Sequence, residues 1–322
     1  MKALMYTGNR QLEIRETPEP AGDFTVRVLG CAICGTDLKT YLQGHPKFKP
    51  PVILGHEFIG RVIRAPERSG FAEGDIVNAA PYGECGVCAL CRRGAGDLCM
   101  DKDYTTTGSL CEVVEIPPEF ASRGLIKMET PDAAFVLSEP LACVLNALEM
   151  LDITADSRVL IVGGGPMGAL FAEALYSRRV SADISELNPL RAKSLEDWGF
   201  SVFSPDEVKF GEFDNIVVAV NIPKLVSDAV REIGDCGTVH MFSGLPKDTI
   251  VDADAYSIHY RRVRLVGSSG FALKHFRQAH EIIKADPGRF RRMITHYFSL
   301  EEGAAAFDLL SEGNAFKVLI QP

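Results

Sequence analysis

Apolar positions follow two different rhythms along the chain. From Met1 to about Glu139 they come in short β-type runs, FTVRVLG at 24–30, GRVIRA at 60–65, GDIVNA at 74–79 and LCEVVEI at 110–116, each bounded by glycine, proline or charge. Such runs predict strands, so this half reads as mostly β. From about Val159 to Gly267 the runs VLIVG, IVVAV, GTVHMFSG and VRLVGS alternate with helical stretches, MGALFAEALYSRR and NPLRAKSLEDWGF. That alternation predicts βαβ units around a parallel sheet. After Gly270 come two further helices, HFRQAHEIIKAD and LEEGAAAFDLLSEG, and a closing strand, FKVLIQP. The sequence holds no internal repeat, low-complexity tract or long linker.

Composition narrows the class. The 322 residues carry 34 Lys plus Arg against 43 Asp plus Glu, a formal charge of −9, with 46% hydrophobic residues. A chain of this length forms about two domains and buries roughly three quarters of its unfolded surface, which excludes disorder. The acidic balance argues against nucleic acid or an anionic membrane as partner and favours a small molecule. The longest uncharged run, Val159 to Ala172, has 14 residues, four glycines and a proline, short of the ~18 apolar residues of a membrane span. The first residues, MKALMYTGNRQLEIRE, turn polar too soon for a secretory signal, so the expected compartment is the cytoplasm.

Cysteine usage points to metal. Of nine cysteines, Cys85, Cys88, Cys91 and Cys99 fall within 15 residues, with Gly86, Gly94 and Gly96 among them. Four thiolates at this spacing suit a closed, structural zinc that orders a polar loop; two disulfides or an iron–sulfur cluster are the alternatives. A second constellation is open. Cys34 stands just before Thr36 and Asp37, Gly55-His56-Glu57 follows a proline-containing stretch, and Ser138-Glu139-Pro140 adds a carboxylate at an expected domain boundary. Cysteine, histidine and carboxylate with one free position is the pattern of catalytic zinc.

The run from Val159 to Val162 opens into Gly163-Gly-Gly165-Pro166-Met167-Gly168 and then a helix, with Glu186 about 20 residues on. Strand, glycine turn, helix and acid form a dinucleotide fingerprint. Gly163 is expected to make the turn, Gly165 to admit the pyrophosphate, and Gly168 to allow close helix–strand packing. Glu186, at the end of VSADIS, is preferred over Asp183 as the acid on the ribose. A carboxylate there repels a 2′-phosphate and favours NAD over NADP, with Arg191 keeping the alternative open.

On Cys34, the GHE at 55–57, the four-cysteine segment and the glycine loop, the chain resembles the zinc-dependent medium-chain alcohol dehydrogenase family, and EPLAC at 139–143 resembles its polyol (sorbitol-type) branch. The resemblance implies an α/β molecule: a GroES-like β-rich catalytic domain from residues 1–140 and 270–322, with its zinc lobe at about 84–100, and a Rossmann domain at 141–269. It makes Cys34, His56 and Glu139 the catalytic-zinc positions, with Glu57 a fourth acid, and Cys85, Cys88, Cys91 and Cys99 the structural-zinc ligands, two zincs per chain. Thr36 falls where a hydroxyl relays the substrate proton. Cys143, Ser243, Leu245, Gly267 and Ser268 fall beside the nicotinamide, and Lys317 where a basic residue meets the pyrophosphate. A homodimer or homotetramer is implied as well.

Two positions depart from the family pattern. Lys39 stands where a histidine often ends the relay, and Tyr297 where sorbitol dehydrogenases carry an arginine. The stretch from Asp103 to Cys111 is also compressed. The expected activity is NAD-dependent oxidation of a secondary alcohol on a sugar, polyol or cyclitol. Three alternatives are a threonine-type amino-alcohol dehydrogenase, a zinc-free quinone or enoyl reductase, which lacks this ligand set, and a non-catalytic zinc-stabilised dinucleotide sensor. Cys31, Cys111 and Cys236 read as core thiols, and His45, His240, His259, His275 and His280 as surface or hydrogen-bonding residues.

Overall fold

The computed structural model describes residues 1–105 and 107–322; position 106, inside the compressed stretch, lies outside the described residues. The chain divides into two compact units, Met1–Glu139 with Ala272–Pro322, and Pro140–Phe271.

In Pro140–Phe271, six strands lie side by side in the order Ser201–Phe203, Ala182–Ser185, Val159–Val162, Asn215–Val218, Thr238–Met241, Arg264–Gly267. Every pair is parallel. Counted in chain order within this sheet the strands run 3-2-1-4-5-6, the doubly wound arrangement whose direction of winding reverses at the first strand. Val159–Val162 and Asn215–Val218 are buried along their whole length, as central parallel strands covered on both faces must be. The helices Pro166–Ser177, Pro189–Asp197 and Pro223–Glu232 each open on proline, whose missing N–H and fixed φ suit the first helical position. Asn188 caps the second of these, accepting from the N–H of Leu190 and Arg191. Leu160, Ile216, Val218, Val226, Val230 and Val239 pack into one core cluster between sheet and helix.

The other unit is built on a seven-stranded sheet in the order Leu125–Met128, Ile76–Ala79, Glu57–Arg64, Thr25–Ala32, Lys317–Gln321, Ile294–Ser299, with Val113–Glu115 also pairing Thr25–Ala32. Phe24, Phe58, Phe120, Phe276, Phe307 and Phe316 fill its interior. The C-terminal strand lies antiparallel against Thr25–Ala32, an early one. Two registers fix what meets at the end of this sheet: Ala32 faces Glu57, and Leu319 faces Ala32.

Candidate active site

Those registers assemble the open site. Strand Thr25–Ala32 runs out into Cys34, which caps helix Gly35–Gln43, while His56 directly precedes strand Glu57–Arg64. Because Ala32 pairs with Glu57, Cys34 and His56 leave the sheet at the same end. The Ile33 N–H donates to Val318 O at 3.0 Å, which carries Lys317 opposite Cys34. Cys34 Sγ, a His56 ring nitrogen and a Glu57 oxygen consequently lie within 4.8 Å of one another.

Asp37 braces the arrangement from beneath. Its carboxylate accepts from the N–H of Cys34 at 3.0 Å and of Gly55 at 3.1 Å, and Oδ1 stands 3.5 Å from His56 Nδ1. A carboxylate on Nδ1 orients the ring and leaves Nε2 for a ligand. Burial pushes the Asp37 carboxyl up, but His56 and the two amides outweigh it and hold it below the usual carboxylate value. For His56 burial acts downward, and Asp37 and Cys34 overcome it to hold the imidazole well above its ordinary value. Burial and the Glu57 charge raise the Cys34 thiol. A half-buried imidazole and thiol and a buried carboxylate converging within one coordination radius are a donor set that fits zinc.

Lys317 closes on the same cluster. Its ammonium donates to both Glu57 oxygens, at 2.5 and 2.6 Å, with Lys317 only 3% exposed and Glu57 fully buried. Burial acts to lower its pKa, but Glu57, then Cys34 and Glu139, raise it instead. It is therefore held by the ligand cluster, because the pairing of Leu319 with Ala32 places it there. Glu139, the second residue of helix Ser138–Leu148, stands outside the trio of Cys34, His56 and Glu57 and borders it through its effect on Lys317. Thr36 and Lys39 are exposed on the helix that Cys34 caps, and Cys143 is half-buried on the helix of Glu139.

The four-cysteine segment forms a second cluster within 4.8 Å. Four of its sulfur pairs are 3.4 Å (Cys88–Cys91), 3.5 Å (Cys85–Cys99), 3.9 Å (Cys85–Cys91) and 3.9 Å (Cys88–Cys99) apart. Tetrahedral zinc with Zn–S near 2.3 Å sets ligand sulfurs about 3.8 Å apart, whereas a disulfide needs about 2.05 Å. All nine cysteines are free. The N–H groups of Cys85, Cys91 and Asp101 point at Cys99, Cys88 and Cys99 sulfurs, the usual support for thiolate charge. The Cys91 amide is the main cause that brings the Cys88 thiol down to about 6.

In the other unit the glycine turn has the required shape. Gly163 has φ +103°, and a Cβ on Gly168 would stand 1.9 Å from the Gly163 oxygen, so the helix Pro166–Ser177, which starts with Pro166 and Met167, packs against the turn only with glycine there. Gly165 differs. Its φ of −67° suits any residue, and an added Cβ would meet nothing closer than an Arg191 nitrogen at 3.7 Å. The protein itself does not require glycine at 165, as fits a site where a ligand phosphate approaches the backbone. Glu186, buried, accepts from the Gly164 N–H at 2.8 Å and the Asn188 N–H at 2.6 Å, and Arg191 pairs with it at 3.1 Å. Asp183 lies mid-strand in Ala182–Ser185. Ser243 and Leu245 follow strand Thr238–Met241, while Gly267 ends Arg264–Gly267 and Ser268 follows it, all at carboxyl ends of parallel strands, where ligands of such sheets bind.

His240, expected at the surface or in a hydrogen bond, is buried and contacts a hydroxyl. Its Nε2 lies 3.2 Å from Ser268 Oγ, and among the described residues its Nδ1 has no partner. A histidine inside the apolar run TVHM was the available signal. Cys236 also differs from expectation: it is exposed in a turn with φ +62°, while Cys31 and Cys111 are buried.

Residues 20–128 match the alcohol dehydrogenase GroES-like domain. The chain is 29% identical to the D-altritol 5-dehydrogenase of Agrobacterium fabrum, over 94% of each chain, and 26% identical to the sorbitol dehydrogenase of Halalkalibacterium halodurans, over 100% of this chain and 99% of the other. A zinc-binding dehydrogenase from Sinorhizobium meliloti 1021, solved bound to NADP, superposes with a TM-score of 0.86 at 26% identity, over 100% of this chain and 99% of that one.

The chain belongs to the zinc-dependent medium-chain alcohol dehydrogenase family.

As a member of that family it is an oxidoreductase, with the GroES-like domain and doubly wound sheet of the alcohol dehydrogenases. Among the described residues no helix is long and apolar enough to cross a membrane.

Proposed function

We propose that this dehydrogenase oxidises a secondary alcohol on a sugar, polyol or cyclitol to the ketone, reversibly and with NAD. The observation that carries the reading is the convergence of Cys34, His56 and Glu57 at one sheet end in a chain that also carries the strand, glycine turn and acid of a dinucleotide site. When bound, zinc at the open site supplies a Lewis acid that lowers the pKa of a substrate oxygen, and the nicotinamide supplies the hydride acceptor. The four-cysteine lobe supports a second, structural zinc.

The chain's own residues do the remaining work. Cys34 and His56 offer ligand atoms, and Asp37 holds the imidazole through Nδ1. Thr36 carries a hydroxyl that both accepts and donates, which suits it to pass the substrate proton outward. Lys39 is exposed three residues on and supports exit to solvent or its own amine in place of a histidine. Glu57, closed by Lys317 on both oxygens, is the less available carboxylate at rest, which favours Glu139 as the third ligand. Glu186, aimed by two backbone N–H groups, supports NAD; Arg191 is paired to it rather than free to receive a 2′-phosphate. The acidic charge supports a small-molecule partner, a cytoplasmic location fits the free thiols, and a homodimer or homotetramer is part of the reading.

The deciding experiment measures zinc per chain together with NAD⁺ reduction across polyols, cyclitols, sugar acids and amino alcohols, for the wild type and Cys34→Ser. Two zincs with turnover on the first classes, and one zinc with turnover lost in the variant, is the expected result. Turnover on amino alcohols alone would move the chain to the threonine type. NADH binding without turnover on any class would favour a sensor, and full turnover by Cys34→Ser would overturn the reading.

A further inference from the structure

A second buried polar cluster occupies the Met1–Glu139 and Ala272–Pro322 unit. The Asn78 side-chain amide donates to Ser138 Oγ at 2.7 Å and stands 3.0 Å from His280 Nδ1. These residues are 1%, 0% and 3% exposed. They come from three elements: strand Ile76–Ala79, the first residue of helix Ser138–Leu148, and helix Leu273–Ala285. The Phe135 ring, in the 3-10 turn Ala133–Leu137 that leads into Ser138, lies against the His280 imidazole with centroids 4.6 Å apart.

Stability alone does not account for the cluster. Each buried polar group carries a desolvation cost that its hydrogen bonds only modestly exceed, and an apolar trio of the same shape does about as well. What directional bonds add is position. For Nδ1 to accept from the amide, His280 must be neutral, and burial favours that state by lowering its pKa. Asn78 stands at the centre of the cluster and holds Ser138 at one end of it; the next residue is Glu139, whose carboxylate borders the ligand set through Lys317. The Ser138 N–H donates to Phe135 O, which ties the preceding turn to the same helix start.

We propose that Asn78, Ser138 and His280 are positioning residues for the metal site: they lock the first turn of Ser138–Leu148 so that the Glu139 carboxylate is presented to Cys34 and His56. The inference rests on the metal-site reading above. Outer groups that orient a ligand typically change metal affinity by roughly 10- to 100-fold when removed.

The test uses the full chain with Co(II) at the open site and zinc kept in the four-cysteine lobe. In Ser138→Ala and in His280→Phe, which keeps a ring against Phe135, the cobalt d–d bands should shift and a chelator should remove cobalt at least about ten-fold faster. Ser138→Thr, which keeps Oγ, should restore both, and the lobe zinc should be unchanged in every variant. Should Ser138→Ala fail to fold, His280→Phe decides. Wild-type bands and release rates in these variants, whatever their melting temperature, would overturn the proposal while leaving the metal site standing. Absence of Cys34-dependent cobalt bands in the wild type would overturn the metal-site reading and this inference with it.

Discussion

Glu186 has both carboxylate oxygens engaged by backbone N–H groups and Arg191. Such an acid is aimed in advance, so removing its charge should act on the cofactor more than on the fold. Glu186→Gln is expected to raise the KM for NAD⁺ roughly 10- to 100-fold, the value of about 1.5–3 kcal/mol for a charged hydrogen bond, and to raise the NADP⁺/NAD⁺ ratio of kcat/KM. His240 gives a prediction about pH. Burial holds it at about 4, against an ordinary 6.5. Between those values the unfolded chain binds a proton that the folded chain refuses, so this contribution to stability is complete above about pH 6.5 and lost as the pH falls toward about 4. Buried His280 is lowered in the same direction. Melting temperature should therefore drop on acidification through this window, and His240→Gln should flatten part of the drop. Cys34, His56 and Glu186 were legible in sequence because each sits in a short motif whose spacing carries the chemistry. The pairing of Lys317 with Glu57 was not, because it is set by strand register across 260 residues.

Elements were legible where one rhythm governs them. VLIV at 159–162 is a strand buried throughout, and the helices after it start at prolines visible in the chain. The four-cysteine loop was legible because its spacing is local, but its tie to the rest of its unit was not. Glu84, just before Cys85, accepts from the Leu273 N–H at 2.9 Å and so caps helix Leu273–Ala285. Glu84→Ala should cost about 1 kcal/mol in urea unfolding while leaving zinc content unchanged. Cys88→Ser should lose the lobe zinc, lower the melting temperature and speed hydrogen exchange at the start of the same helix. Gly168→Ala, with its Cβ 1.9 Å from the Gly163 oxygen, should destabilise by at least about 1–3 kcal/mol and weaken NADH binding, read by urea unfolding and fluorescence titration.

At the scale of the molecule, strand and helix order made the α/β class readable, whereas substrate and assembly depend on surfaces that no local pattern encodes. One such surface is in Pro140–Phe271. Arg264–Gly267 is an edge strand of the sheet, and Ile250, Tyr256, Ile258 and Tyr260 are large exposed apolar residues in the segment that precedes it. An unpaired edge with apolar neighbours is a surface that proteins normally cover. Light scattering should give a mass of two or four chains, and Tyr256→Glu with Tyr260→Glu should lower it; a monomeric wild type would remove the oligomer from the proposed reading.

The strand that carries Lys317 also sets an order of manufacture. Glu57 is made 260 residues before the lysine that closes it, and Thr25–Ala32 keeps a place beside it for a strand that emerges almost 300 residues later. During synthesis the nascent sheet must wait with that hydrogen-bonding edge open, through the whole folding time of the intervening dinucleotide unit, which is when a growing chain is most exposed to wrong pairings. Metal supplied to ribosome-bound chains arrested before residue 317 should therefore find the four-cysteine lobe ready and the open site still unfinished.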